Sequence, residues 1–147
     1  METLAKSLVE TEALASSVLA TVAEREREEA VVLALYGDLG SGKTTFTQYI
    51  ASELGVRDYV TSPTFVIQKR YQTKNPIFKK LIHIDCYRLN SPAEILALDW
   101  AELLADKDNL LVVEWAERIE AILPTDVVKI KFETAGELER KIAVIGL

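Results

Sequence analysis

Residues Leu35 to Phe46 read LYGDLGSGKTTF, with three glycines set beside one lysine and two threonines. Within it, Gly37 to Thr44 fits G-x-x-x-x-G-K-[ST], the phosphate-cradling loop. Gly37, Gly40 and Gly42 stand in the wrong order for G-x-G-x-x-G. A Rossmann dinucleotide site is therefore disfavoured.

Both flanks supply what that loop needs. Ala30 to Tyr36 (AVVLALY) is a continuous apolar run rich in β-branched residues, which predicts a strand buried on both faces. From Lys43 the period changes: Phe46, Tyr49, Ile50 and Leu54 share a helical face, and Gly55 stands where a C-cap belongs. The unit is strand, glycine loop, helix.

Glycines let the backbone fold around a polyphosphate with its N–H groups inward, and the helix start adds a positive dipole end. Gly40, Ser41, Gly42, Lys43, Thr44 and Thr45 are thus the expected phosphate-binding residues. Lys43 adds a full charge for the β and γ phosphates, Thr44 a hydroxyl for Mg²⁺, and Thr45 a contact nearer the α position. No guanine-reading N-K-x-D occurs, the nearest strings being TKNP and DKDN, so ATP is the expected nucleotide.

Such a loop works with a carboxylate at the end of a neighbouring strand. The chain offers two: LIHID ends at Asp85 and LLVVE at Glu114. Spacing alone does not divide the roles of metal ligand and catalytic acid between them. Arg88 and Arg118 are the nearby cations that would pair with either acid in a purely structural arrangement. His83 should share a face with Asp85, and a lone strand histidine is ordinarily a satisfied structural residue. Ser62-Pro63-Thr64 lies where a switch loop can bring a threonine to the γ-phosphate and metal. Trp115 should face away from Glu114, and alternation does not say whether it is core or lid.

Elsewhere, Leu4, Leu8, Leu14, Val18, Leu19 and Val22 recur at helical spacing, which predicts an amphipathic helix whose first turn begins near Glu10. Phe65 to Tyr71 and Phe78 to Asp85 read as strands around a TKNP turn. Ser91-Pro92-Ala93-Glu94 starts a helix carrying Ile95, Leu96, Leu98 and Trp100. Val127 to Phe132 and Lys141 to Ile145, separated by Gly136, predict a terminal antiparallel pair. The fold class is α/β: one P-loop domain over residues 1–147, with a mostly parallel central sheet flanked by helices and antiparallel strands near the C-terminus.

The bulk numbers agree with one core, since 49% of the 147 residues are hydrophobic. A net charge of −6 argues against wrapping a nucleic-acid backbone unaided. Any contact with RNA is expected through a partner. One cysteine, Cys86, forms no internal disulfide, no apolar run is long enough to span a bilayer, and no signal peptide is evident. A cytoplasmic setting away from membranes is expected.

YGDLGSGKTTF, SPTF (Ser62 to Phe65), HIDCYRL (His83 to Leu89) and VEW (Val113 to Trp115), in that order, closely resemble the bacterial TsaE (YjeE) family. The resemblance is strong from Tyr36 to Trp115 and one of layout outside it. It implies a Mg²⁺-dependent ATPase, slow alone, that acts with TsaD and TsaB proteins in threonylcarbamoyladenosine modification of tRNA and meets tRNA only indirectly. Carried over by motif, Gly40 to Thr45 would hold the phosphates, Thr44 and Glu114 would ligate Mg²⁺, and Asp85 would lie by the γ-phosphate as water-positioning or catalytic acid. Lys43 and Thr64 would join in catalysis, Trp115 would sit beside the site, and Glu10 to Glu12 would lie on the adenine side.

Two other readings share the loop. A small-molecule kinase would use Asp85 as base and an arginine-rich lid, whereas Arg70, Arg88 and Arg118 are scattered in the sequence. A non-catalytic switch would use the γ-phosphate only to order Thr64 and its loop. With no arginine evident in cis, hydrolysis is expected to need partner proteins.

Overall fold

Four apolar runs build the centre of one seven-stranded sheet, in the order β1-β7-β6-β2-β5-β4-β3. The computed structural model describes residues 1–61 and 67–147. Thr64 of the expected switch loop, with Ser62, Pro63 and Phe65, lies outside the described residues.

The strands are β1 (Glu2–Ala5), β2 (Val31–Tyr36), β3 (Gln68–Gln72), β4 (Lys80–Asp85), β5 (Asn109–Glu114), β6 (Val128–Thr134) and β7 (Arg140–Ile145). The helices are α1 (Leu8–Ala23), α2 (Lys43–Glu53), α3 (Ala93–Leu96) and α4 (Trp100–Ala105), followed by a 3-10 stretch Ala116–Ile122 kinked at Ile119. Strands β6, β2, β5 and β4 run parallel, while β3 pairs antiparallel with β4 at one edge and β7 and β1 add antiparallel strands at the other. The α/β expectation holds, as a mixed sheet with a parallel centre.

Strand alternation sorts the core into two layers. Leu33, Leu35, Leu81, Leu110 and Val112 pack against Leu14, Val18 and Val22 of α1 and Phe46 and Ile50 of α2. On the other face Val32, Ala34, Ile82, Ile84, Leu111 and Val113 meet Ile95, Trp100, Leu103 and Ile119. Each fully buried Leu, Ile or Val contributes about 1.5–3 kcal/mol, so runs buried on both faces fix the strand order more firmly than local propensity does.

Four local expectations are corrected. Leu4 belongs to β1, paired with Lys141 of β7, and not to the helix. Helix α1 starts at Leu8, two residues ahead of Glu10, because Ser7 caps it by accepting from the Glu10 N–H at 3.3 Å. The helix expected from Ser91 through Trp100 is two short helices, divided at Asp99, whose φ of +61° is left-handed. Strand β4 begins at Lys80 rather than Phe78, leaving the fully buried Phe78 in the preceding loop under the Arg27 guanidinium, 4.5 Å from its ring centroid.

Candidate functional site

The parallel strands β2, β5 and β4 bring the glycine loop, Glu114 and Asp85 to one end of the sheet, the carboxyl end at which open α/β sheets take ligands. Asp85 and Glu114 are direct Cα partners across β4 and β5. A cavity of about 350 Å³ opens there, lined on one side by Gly40, Ser41, Gly42, Lys43, Thr44 and Thr45 of the loop. Asp85, Glu114, Tyr87, Trp115 and Arg140 face them. All the expected binding residues within the described part of the chain therefore converge, and Glu10 to Glu12 of α1 do not line this cavity.

The loop's conformation depends on its glycines at two points. Gly37 has φ +149°, and a Cβ there would stand 2.8 Å from the Phe132 carbonyl oxygen and 2.6 Å from Ser41 Oγ. Gly42, at φ +107°, is the N-cap residue of α2 and gives no side-chain cap. The first-turn N–H groups of an eleven-residue helix thus lack a side-chain acceptor and face the cavity, an arrangement suited to an anion.

Lys43 is 5% exposed. Its ammonium donates to the carbonyl oxygens of Gly37 and Asp38 and lies 4.3 Å from the Trp115 ring centroid. Burial pulls its pKa below the ordinary lysine value, against the opposing pull of Glu114, Glu117 and Asp85. Ser41 Oγ, buried in the same loop, has no hydrogen-bond partner among the described residues. A buried hydroxyl of this kind and a cation resting on backbone carbonyls both fit a polyanionic ligand.

The acids are placed differently. Glu114, 2% exposed, accepts from Thr44 Oγ1 at 2.9 Å through Oε1 and bonds His83 Nε2 at 2.5 Å through Oε2. Asp85, 3% exposed, accepts from the Tyr87 N–H at 2.9 Å. Among the described residues no group of three or more His, Cys, Asp or Glu side chains could hold a metal by itself. The Thr44–Glu114 pair is a two-oxygen, hard-donor set of the sort Mg²⁺ uses together with phosphate and water.

Residues 5–142 match the sequence model of the family described as threonylcarbamoyl adenosine biosynthesis protein TsaE. The chain belongs to the TsaE family. It is 44% identical over 111 residues to the tRNA threonylcarbamoyladenosine biosynthesis protein TsaE of Bacillus subtilis strain 168, a match covering 76% of this chain and 66% of that protein. The chain thus spans a little less than two thirds of that relative's length. The Rickettsia bellii TsaE is 36% identical over 140 residues, covering 95% of this chain and 90% of its own. The crystal structure of Bacillus subtilis YdiB superposes with a TM-score of 0.69 at 32% identity, covering 97% of this chain and 82% of that one.

Within this TsaE family fold, the geometry adds residues that sequence reasoning did not place. Arg140, which starts β7, reaches the Gly40 carbonyl with Nη2 at 3.3 Å and holds Gly136, Glu137 and Glu139 carbonyls with Nη1. An arginine contributed by a strand a hundred residues away is thus seated on the glycine loop, with its guanidinium engaged by backbone carbonyls. Trp115 also departs from alternation. Its φ of +57° turns it back to the side of Glu114, where it packs on Tyr87 with ring centroids 5.1 Å apart. His83, fully buried, is joined to the site by its bond to Glu114. Of the cations weighed as partners for the acids, Arg118 instead donates to the Leu89 carbonyl at 3.4 Å.

Proposed function

We propose that the chain is a Mg²⁺-dependent ATPase that drives or resets threonylcarbamoyladenosine formation on tRNA, acting with TsaD and TsaB proteins and meeting tRNA only through them. The observation that carries this reading is the Thr44–Glu114 contact beside Lys43 at the mouth of a glycine loop, in a chain of the TsaE family. The partnership rests on the family resemblance. Among the described residues no helix is long and apolar enough to cross a membrane.

Gly40 to Thr45 would bind the triphosphate through backbone N–H groups, with Lys43 exchanging loop carbonyls for β and γ oxygens. Thr44 Oγ1 and one Glu114 oxygen would hold Mg²⁺, which in ATP hydrolysis draws charge from the β and γ phosphates. Asp85, held by the Tyr87 N–H, would orient the attacking water from across the cavity. Tyr87 and Trp115 line the opening opposite the loop. Arg140, tied to four carbonyls at the Gly40 side, serves loop geometry, so turnover by the isolated chain is expected to be slow.

The test is ATP hydrolysis by the purified chain, with and without TsaD, TsaB and tRNA, for wild type, Lys43→Ala and Asp85→Ala. A slow rate that changes with the partners and collapses in both variants supports the proposal. Nucleotide binding without hydrolysis in any mixture would replace it with a binding switch, and a phosphorylated small-molecule product with a kinase.

A further inference from the structure

We propose that His83 is a positioning residue that aims the Glu114 carboxylate at Thr44 and the metal, an inference that rests on the ATP and Mg²⁺ reading above. Strand β4 lies beside β5 with His83 opposite Val112 and Asp85 opposite Glu114, so the imidazole reaches diagonally to the next acid on its own sheet face. Both side chains are shut away from water, at 0% and 3% exposure.

The two carboxylate oxygens have separate tasks. Oε2 bonds His83 Nε2 at 2.5 Å, and Oε1 accepts from Thr44 Oγ1 at 2.9 Å. One oxygen is therefore tied to the rigid centre of the sheet and the other is turned to the first turn of α2. A carboxylate with neither oxygen tied would rotate about its terminal bond and would lose that freedom on binding the ion. Anchoring one oxygen beforehand removes this loss, as outer partners of metal ligands do generally.

The imidazole's other nitrogen supports a dedicated role. His83 Nδ1 has no hydrogen-bond partner among the described residues, although it is fully buried. A histidine kept only for packing would be expected to satisfy both nitrogens. Among the described residues this one leaves Nδ1 unpaired while Nε2 holds Glu114. The strand also explains the residue type: a ring on rigid β backbone presents Nε2 at fixed reach, where a longer flexible amide would have to be ordered first.

The test measures binding of the non-hydrolysable analogue AMP-PNP by calorimetry, in MgCl₂ and in EDTA. It compares wild type, His83→Phe, His83→Gln, Glu114→Gln and the His83→Phe/Glu114→Gln double variant. Expected is a His83→Phe chain that keeps its affinity in EDTA and loses about 10–100-fold of the gain that magnesium confers. His83→Gln, which can place an amide N–H near the position of Nε2, should recover most of that gain. In the Glu114→Gln background His83→Phe should change nothing further, because its effect passes through that carboxylate.

A His83→Phe chain with the full magnesium gain, equal losses with and without magnesium, or additive effects in the double variant would each overturn the inference. Should His83→Phe not fold, His83→Asn, whose shorter amide falls short of Oε2, takes its place against His83→Gln with the same expectations. A wild-type chain whose affinity ignores magnesium would overturn the parent reading and this inference with it.

Discussion

Lys43 Nζ lies 4.3 Å from the centroid of the Trp115 ring while it donates to the carbonyl oxygens of Gly37 and Asp38. Carbonyl dipoles and a π face contact this buried cation, and burial depresses its pKa below the ordinary lysine value, against the pull of Glu114, Glu117, Asp85 and Asp38. For a base the sign is definite: the folded state disfavours the charged form, so stability rises as pH climbs through the window below 10.5. Lys43→Ala should therefore leave the nucleotide-free fold as stable as wild type or more so at neutral pH. It should weaken ATP binding by about 10–100-fold through loss of charged hydrogen bonds. Chemical denaturation and calorimetry on the same samples check both halves, and a large loss of stability would contradict the first.

Glu114 makes the opposite prediction. Its oxygens satisfy the half-buried Thr44 and the buried His83, so Glu114→Ala leaves one buried polar partner unsatisfied and removes packing at the sheet end. A cost of about 1–3 kcal/mol follows from leaving the buried His83 nitrogen without its acceptor. Glu114→Gln keeps the shape and should lose less than half as much. Urea unfolding of the two variants orders them.

The glycine loop separates two kinds of glycine. Gly37→Ala would drive its Cβ to 2.8 Å from the Phe132 carbonyl oxygen, a backbone atom that must shift. Gly40 has φ +76° and open space around its missing Cβ, so Gly40→Ala meets only the left-handed backbone penalty of about 1–2 kcal/mol. Gly37→Ala should lower the melting temperature further than Gly40→Ala and disturb nucleotide binding more. Equal shifts would show that the approach of Gly37 to β6 is not the constraint.

Cys86 tests the same end of the sheet by pH. The thiol is fully buried, and burial first, with Asp85 and Glu117 adding, pushes its pKa up to about 12 from 9.0. At pH 8 only about one thiol in ten thousand would ionise in the folded chain, by the difference of about four pKa units. Iodoacetamide should then label it only through the opened chain, at a rate that follows the population of the open state. Above pH 9 the unfolded chain ionises first and binds fewer protons than the folded one, so this thiol's share of stability falls from pH 9 upward.

The sequence was most legible where burial and period coincide. AVVLALY, LIHID and LLVVE are strands on both accounts, and their ends carry the acids where the parallel register requires them. What escaped depends on contacts distant in sequence or on single dihedrals. Leu4 fits a helical period by coincidence, and only its pairing with Lys141 makes it a strand residue. Asp99 and Trp115 each take positive φ, which breaks one helix in two and returns an indole to the face that alternation denied it. His83 looked like an ordinary buried histidine because its partner is 31 residues away, on the next strand.

Arg140 is another such case. Its guanidinium gathers the carbonyl oxygens of Gly136, Glu137 and Glu139 with Nη1 and reaches Gly40 with Nη2, so the turn between β6 and β7 and the glycine loop share one side chain. Nε is buried with no partner among the described residues, which leaves a donor toward the cavity side, 3.5 Å from where a Gly42 Cβ would stand. Arg140→Ala should release both segments together: faster amide hydrogen exchange at residues 136–139 and at the glycine loop, and about tenfold weaker ATP binding. Arg140→Lys keeps the charge without the planar fork, so it should restore the exchange protection poorly. If lysine restored both protection and affinity, charge alone would explain Arg140, and the shared hydrogen-bond geometry would not be what couples the turn to the loop.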